Sequence, residues 1–135
     1  MPHVTIQYTA NLDPEAKIDA LCASLAEVIC VQRDGEGRRL FPIGGTRVLA
    51  YPAYAFAVAD GAPDRAFVYL NVRIAPGREP ARVKATGEAL ITAVRSHFEA
   101  LFASRPLGVT LQIDEGAPVF DGKFGNLHAV FAKKD

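Results

Sequence analysis

Ala66-Phe67-Val68-Tyr69-Leu70-Asn71-Val72-Arg73-Ile74, broken at Pro76-Gly77-Arg78 and followed by a helical repeat from Pro80, is the stretch that decides the fold. Its first half is almost wholly apolar and rich in β-formers, which suits a strand in the middle of a sheet. From Pro80 to about Ala103, Val83, Leu90, Ile91, Val94, Phe98, Leu101 and Phe102 recur at helical spacing, which predicts one long amphipathic helix. Leu107-Gly108-Val109-Thr110-Leu111-Gln112-Ile113-Asp114 then alternates again as a strand. Strand, long crossover helix and strand make a βαβ unit.

The residues before this unit repeat its order. Thr46-Arg47-Val48-Leu49-Ala50-Tyr51 reads as a strand that runs on irregularly through Tyr54 and Phe56 to the turn at Asp60-Gly61. Ile18, Leu21, Cys22, Leu25, Val28 and Ile29 fall on one helix face, with Asp13 as the expected cap and Pro14 in the first helical position. His3-Val4-Thr5-Ile6-Gln7-Tyr8 alternates as an opening strand. Two tandem βαβ units can join into one four-stranded sheet with both helices on one face, an α+β domain spanning residues 1–135. Asn126-Leu127-His128-Ala129-Val130-Phe131 is expected to add a short C-terminal strand. The sheet face away from the helices would expose Val, Ile, Leu and Tyr. At about 25 cal/mol per Å² of apolar surface, that face is expected to be covered by other subunits.

Composition removes several function classes. Half of the 135 residues are hydrophobic, and fifteen Lys plus Arg offset fifteen Asp plus Glu without clustering. This leaves no basic field for nucleic acid or an anionic membrane. No run of about 18 apolar residues suggests a membrane span, and no signal peptide is recognisable, so a cytoplasmic protein is expected. Cys22 and Cys30 lie eight residues apart in one expected helix, about 12 Å along its axis, too far for a disulfide. His3, His97 and His128 have no metal-ligand spacing, Gly44-Gly45 lacks the Lys-Ser/Thr of a phosphate loop, and no serine sits in a nucleophile motif.

Met1-Pro2-His3, with Tyr8-Thr9-Ala10-Asn11-Leu12 beyond it, resembles the 5-carboxymethyl-2-hydroxymuconate Δ-isomerase family of the tautomerase superfamily. Further matches follow in order at Phe41-Pro42-Ile43-Gly44-Gly45-Thr46-Arg47, Ala59-Asp60-Gly61, Ala66-Phe67-Val68, Ile74-Ala75-Pro76-Gly77-Arg78 and Asn126-Leu127-His128-Ala129-Val130-Phe131. Each is weak alone, and the ordered set covers nearly the whole chain. The resemblance implies a homotrimer of β-α-β-β-α-β subunits, no metal or organic cofactor, and a role in bacterial breakdown of aromatic acids by the homoprotocatechuate route. The charged loop at residues 33–40 looks longer than the family's usual connection, which leaves the substrate open.

Moving a proton along a conjugated dienol or enone needs a base with a pKa near the working pH. The resemblance assigns that task to the amine of Pro2, which exists only once Met1 is removed. A small second residue permits that removal. Burial and nearby arginines would favour the neutral amine. Arg47, at the family's Gly-Gly-X-Arg position, and Arg78, after Pro76-Gly77, would line the pocket. Arginine can polarise an oxo or carboxylate group and grip a carboxylate through paired hydrogen bonds. Arg73 stays outside the catalytic set, and His3 and His128 are candidates for a place near the pocket. The expected activity is keto-enol or Δ-isomerisation of 5-carboxymethyl-2-hydroxymuconate or a similar unsaturated oxo-acid. The alternatives are a tautomerase-superfamily enzyme with another substrate and a non-catalytic oligomeric protein that binds a small acid.

Overall fold

The computed structural model describes residues 1–134. In chain order the elements are β1 (His3–Thr9), a 3-10 turn (Ala10–Leu12), α1 (Ile18–Val31), a second 3-10 turn (Ile43–Gly45), β2 (Arg47–Ala53), β3 (Ala66–Ile74), α2 (Pro80–Ser104), β4 (Leu107–Glu115) and α3 (Leu127–Phe131). The strands form one sheet in the order β2-β1-β3-β4. β1 pairs parallel with β2 and β3 parallel with β4, while β1 and β3 join the two units antiparallel. Two βαβ units therefore meet at the centre of the sheet, as the pattern of apolar residues requires.

Alternation divides the sheet cleanly. Val4, Ile6 and Tyr8 of β1 and Val68, Leu70, Val72 and Ile74 of β3 are buried beneath the helices. Leu21, Leu25 and Ile29 of α1 and Leu90, Val94 and Phe98 of α2 complete the core, one residue per helical turn on each facing stripe. The opposite face stays open. By register, its first row reads Arg47, His3, Arg73, Asp114 across the four strands, and the next two read Leu49, Thr5, Asn71, Gln112 and Tyr51, Gln7, Tyr69, Thr110. Cross-strand hydrogen bonds from Asn71 to Asp114 (2.6 Å) and from Tyr69 to Gln112 (2.8 Å) satisfy part of it. The open face is thus more polar than expected, because the Val and Ile residues of the central strands all point to the helices. Leu49 and Tyr51 remain about half exposed.

Two sequence expectations fail, each for a local reason. Asp13 does not cap α1, because its carboxylate accepts a hydrogen bond from the Tyr8 hydroxyl at 2.8 Å. The helix begins only at Ile18, with Lys17 at φ +47° before it, and residues 13–17 form turns that bury Ala16. The C-terminal strand is instead the short helix α3. Leu127, Ala129 and Phe131 alternate, yet Leu127 with Val130 and Phe131 also fits a helix turn, and six residues do not separate the two periods. Contact decides it, since α3 packs on the 3-10 turn at Ile43–Gly45 rather than on a sheet edge. There Gly44 has no side chain where a Cβ would lie 2.9 Å from the His128 Cα.

Candidate active site

The N-terminus lies at the end of the sheet where β1 begins and β3 finishes, an arrangement forced by their antiparallel pairing. Pro2 is buried, and its carbonyl accepts a hydrogen bond from the Arg47 amide at 3.1 Å, which fixes the residue against the start of β2. The Arg47 side chain turns back over the preceding 3-10 turn, its Nη1 donating to the carbonyls of Gly44 (2.6 Å) and Thr46 (3.0 Å). Those two bonds hold the guanidinium in place, and among the described residues it forms no ion pair. A cavity of about 420 Å³ opens here, lined by Met1, His3, Arg47 and the C-terminal residues Asp121, Lys123 and His128, among others.

Arg78 approaches differently. It follows the break at Pro76-Gly77, where Gly77 sits at φ +102°, a left-handed conformation that a side chain would strain. Its guanidinium lies 4.6 Å over the Phe41 ring, and donates to the carbonyls of Leu40 (3.2 Å) and Ala75 (2.9 Å). It lines a separate cavity of about 480 Å³ together with Arg39 and Arg82, not the one shared by Met1 and Arg47. Its charge nevertheless reaches the N-terminus. Burial first, then the Arg78 and Lys123 cations, lower the Met1 ammonium below the ordinary range of a terminal amine, while Asp121 opposes them. Burial, followed by the Arg47 charge, likewise lowers the His3 imidazole. An amine at this place is biased towards its neutral form.

Of the three site residues expected from the sequence, the structure brings Pro2 and Arg47 into direct contact and sets Arg78 in a different cavity. Arg73, left outside the expected set, lines a smaller cavity of about 180 Å³ beside Met1, His3 and Lys123. It lies directly against Gly116, where any Cβ would collide with its guanidinium. Asp121 and Lys123 escaped the sequence reading altogether, because the segment after β4 has no periodicity that would predict its return to the N-terminus. Their only signal is composition, an ion pair within a glycine-rich stretch. Among the described residues no cluster of three or more His, Cys, Asp or Glu side chains is placed to hold a metal ion. None of their helices is long and apolar enough to cross a membrane.

The sheet and its helices define the class first. The fold is that of the tautomerase superfamily, shared for example with a fused 4-OT symmetric trimer at a TM-score of 0.56 and 22% identity, covering 83% of this chain and 85% of that one. Sequence then narrows it. Residues 2–131 match the family model for 5-carboxymethyl-2-hydroxymuconate isomerase, and the chain belongs to that family. It is 30% identical to the 5-carboxymethyl-2-hydroxymuconate Delta-isomerase of Escherichia coli over 131 residues, 97% of this chain and 99% of that protein. A crystal structure of a 5-carboxymethyl-2-hydroxymuconate delta-isomerase superposes at a TM-score of 0.92 with 46% identity, covering 97% of this chain and 93% of the other. A 5-carboxymethyl-2-hydroxymuconate isomerase from Deinococcus radiodurans R1 gives 0.85 and 37%, over 96% and 93%.

Proposed function

We propose that the protein isomerises 5-carboxymethyl-2-hydroxymuconate, with the secondary amine of Pro2, freed by removal of Met1, as the base. The observation that carries this reading is the position of Pro2: buried, bonded through its carbonyl to the Arg47 amide, and placed where burial and neighbouring cations lower an amine's pKa. The neutral amine takes the proton from the 2-hydroxyl of the dienol. Electrons then shift along the conjugated system, the C2 oxygen becomes a ketone, a C3=C4 double bond replaces the diene, and the proton passes from the ammonium to C5, the far carbon of the dienol. The amine is neutral again at the end, so the cycle needs no cofactor. Negative charge develops on the C2 oxygen and its conjugated partners during transfer, and Arg47 supplies a fixed cation to meet it. Arg78 favours the free base through its field and holds a substrate carboxylate.

In this reading the open sheet face, with Leu49 and Tyr51 half exposed, is the surface that packs between subunits of a homotrimer. The setting is the cytoplasmic breakdown of aromatic acids. The test begins with intact mass, to establish that Met1 is absent, followed by ultraviolet observation of 2-hydroxymuconate-type ketonisation. Pro2→Ala retains a terminal amine of lower basicity and different geometry, and kcat is expected to fall by about 10²-fold or more, the usual contribution of a positioned base. An unaltered rate would rule out Pro2 as the base. A free proline amine with no turnover of any oxo-acid would leave a small-acid binding protein.

A further inference from the structure

A substrate bearing a muconate frame and a carboxymethyl arm has three carboxylates, whereas Arg47 and Arg78 together grip at most two. We propose that Lys123 and His128, carried on the segment after β4, form the subsite for the remaining carboxylate and so select tricarboxylates over dicarboxylates. The proposal rests on the isomerase reading for the identity of its natural ligand, and on the following geometry for its place.

The Met1 side chain is wedged between the 3-10 turn at Ile43–Gly45 and α3. A Cβ on Gly45 would lie 2.8 Å from Met1 Cγ, and His128 Nε2 lies 3.2 Å from Met1 Sδ. Removal of Met1 therefore vacates a volume directly beside His128 Nε2, continuous with the cavity that Arg47, His3 and Lys123 already line. The His128 ring packs against Gly44, where an added Cβ would meet its Nδ1 at 3.1 Å, with its Nε2 towards Met1 Sδ. Lys123 borders both cavities that touch Met1, and its charge acts on the terminal ammonium and on His3. Lys123 pairs with Asp121, so a bound carboxylate competes with Asp121 for the ammonium. That competition has a sign of its own: removing the Asp121 charge should strengthen binding.

The test uses the processed, Met1-free protein and two probes, propane-1,2,3-tricarboxylate and glutarate, titrated by calorimetry alongside steady-state kinetics. Lys123→Met and His128→Ala are each expected to weaken the tricarboxylate by about five-fold, the size of one charge-assisted hydrogen bond, and to leave glutarate unchanged. Asp121→Asn is expected to tighten the tricarboxylate. In kinetics, measured on the plateau above the acid limb where loss of the Lys123 charge leaves the amine neutral, the first two variants raise KM for the carboxymethyl-bearing substrate and not for 2-hydroxymuconate. His128→Gln keeps a donor on α3 and should restore part of the selectivity, which separates lost recognition from a displaced helix. Equal weakening of both probes, or no weakening of either, overturns the subsite. Wild-type protein that binds the tricarboxylate selectively but turns over neither substrate upholds the subsite and overturns the isomerase reading instead.

Discussion

The two ends of the sheet are built alike and furnished differently. At one end β1 starts and β3 finishes, and at the other β3 starts and β1 finishes, so each end receives a strand start, a strand exit and arginines. At the far end Arg65 pairs with both Asp60 (2.8 Å) and Asp64 (2.6 Å), and Arg105 donates to the carbonyls of Asn11 and Asp64. Asn11 closes the arrangement by donating to the carbonyls of Pro63 and Arg65. At the near end Arg47 and Arg78 bond only to backbone carbonyls and, among the described residues, form no ion pair. Carbonyls hold a guanidinium in position without neutralising it. Positive charge left without an ion-pair partner beside Pro2 is what a polyanionic substrate needs, whereas at the far end Arg65 is neutralised by its two ion pairs and, with the carbonyl-held Arg105, ties loops together.

If that contrast is right, matched substitutions at the two ends should separate activity from stability. Arg47→Leu is expected to lower kcat/KM by about 10²- to 10³-fold, the range for losing one fixed donor to a developing oxyanion, with little change in melting temperature. Arg78→Leu acts in two ways. It weakens substrate binding, and it removes a cation that lowers the Met1 ammonium and, once Met1 is removed, is expected to lower the Pro2 amine in the same direction. Activity requires the neutral base, so it falls as the pH drops through that pKa. Raising the pKa moves this acid limb of the kcat/KM profile to higher pH. A limb that stays in place in Arg78→Leu would break the electrostatic half of the argument. Arg65→Leu is the counterpart and should leave kcat/KM alone. Its two ion pairs are solvent-screened, so only a small loss of stability is expected, read from denaturant unfolding.

Legibility in the sequence follows the range of the determining contact. β3 and α2 are readable because their signals are local: alternation over nine residues in one, an apolar stripe over seven turns in the other. Pro2 and Arg47 are readable through family resemblance, and pairing of β1 with β2 then places them together. Lys123 is not, because its segment returns to the N-terminus only as α3, carrying His128, finds Gly44 more than eighty residues earlier. Nothing between residues 116 and 126 encodes that return in its own periodicity. The start of α1 is hidden for a related reason. Asp13 and Pro14 look like a helix start in isolation, and the competing partner, the Tyr8 hydroxyl, belongs to another element.

That Tyr8–Asp13 bond makes the smallest and most local of the expected effects. Burial first, then the bond to Asp13, push the Tyr8 hydroxyl up to about 12, whereas a tyrosine in the unfolded chain titrates near ~10. Between those values the unfolded chain has lost the proton and the folded chain still holds it. Stability must therefore fall as the pH rises through this window, because the unfolded state alone gains from deprotonation. Tyr8→Phe is expected to cost about 1 kcal/mol at pH 7, the net worth of one hydrogen bond, and to flatten the alkaline decline. Urea unfolding measured at pH 7 and in steps from 9 to 12 reads both quantities. An undiminished alkaline slope in the phenylalanine variant would assign the decline to other groups and leave Asp13 without its stated reason for not capping α1.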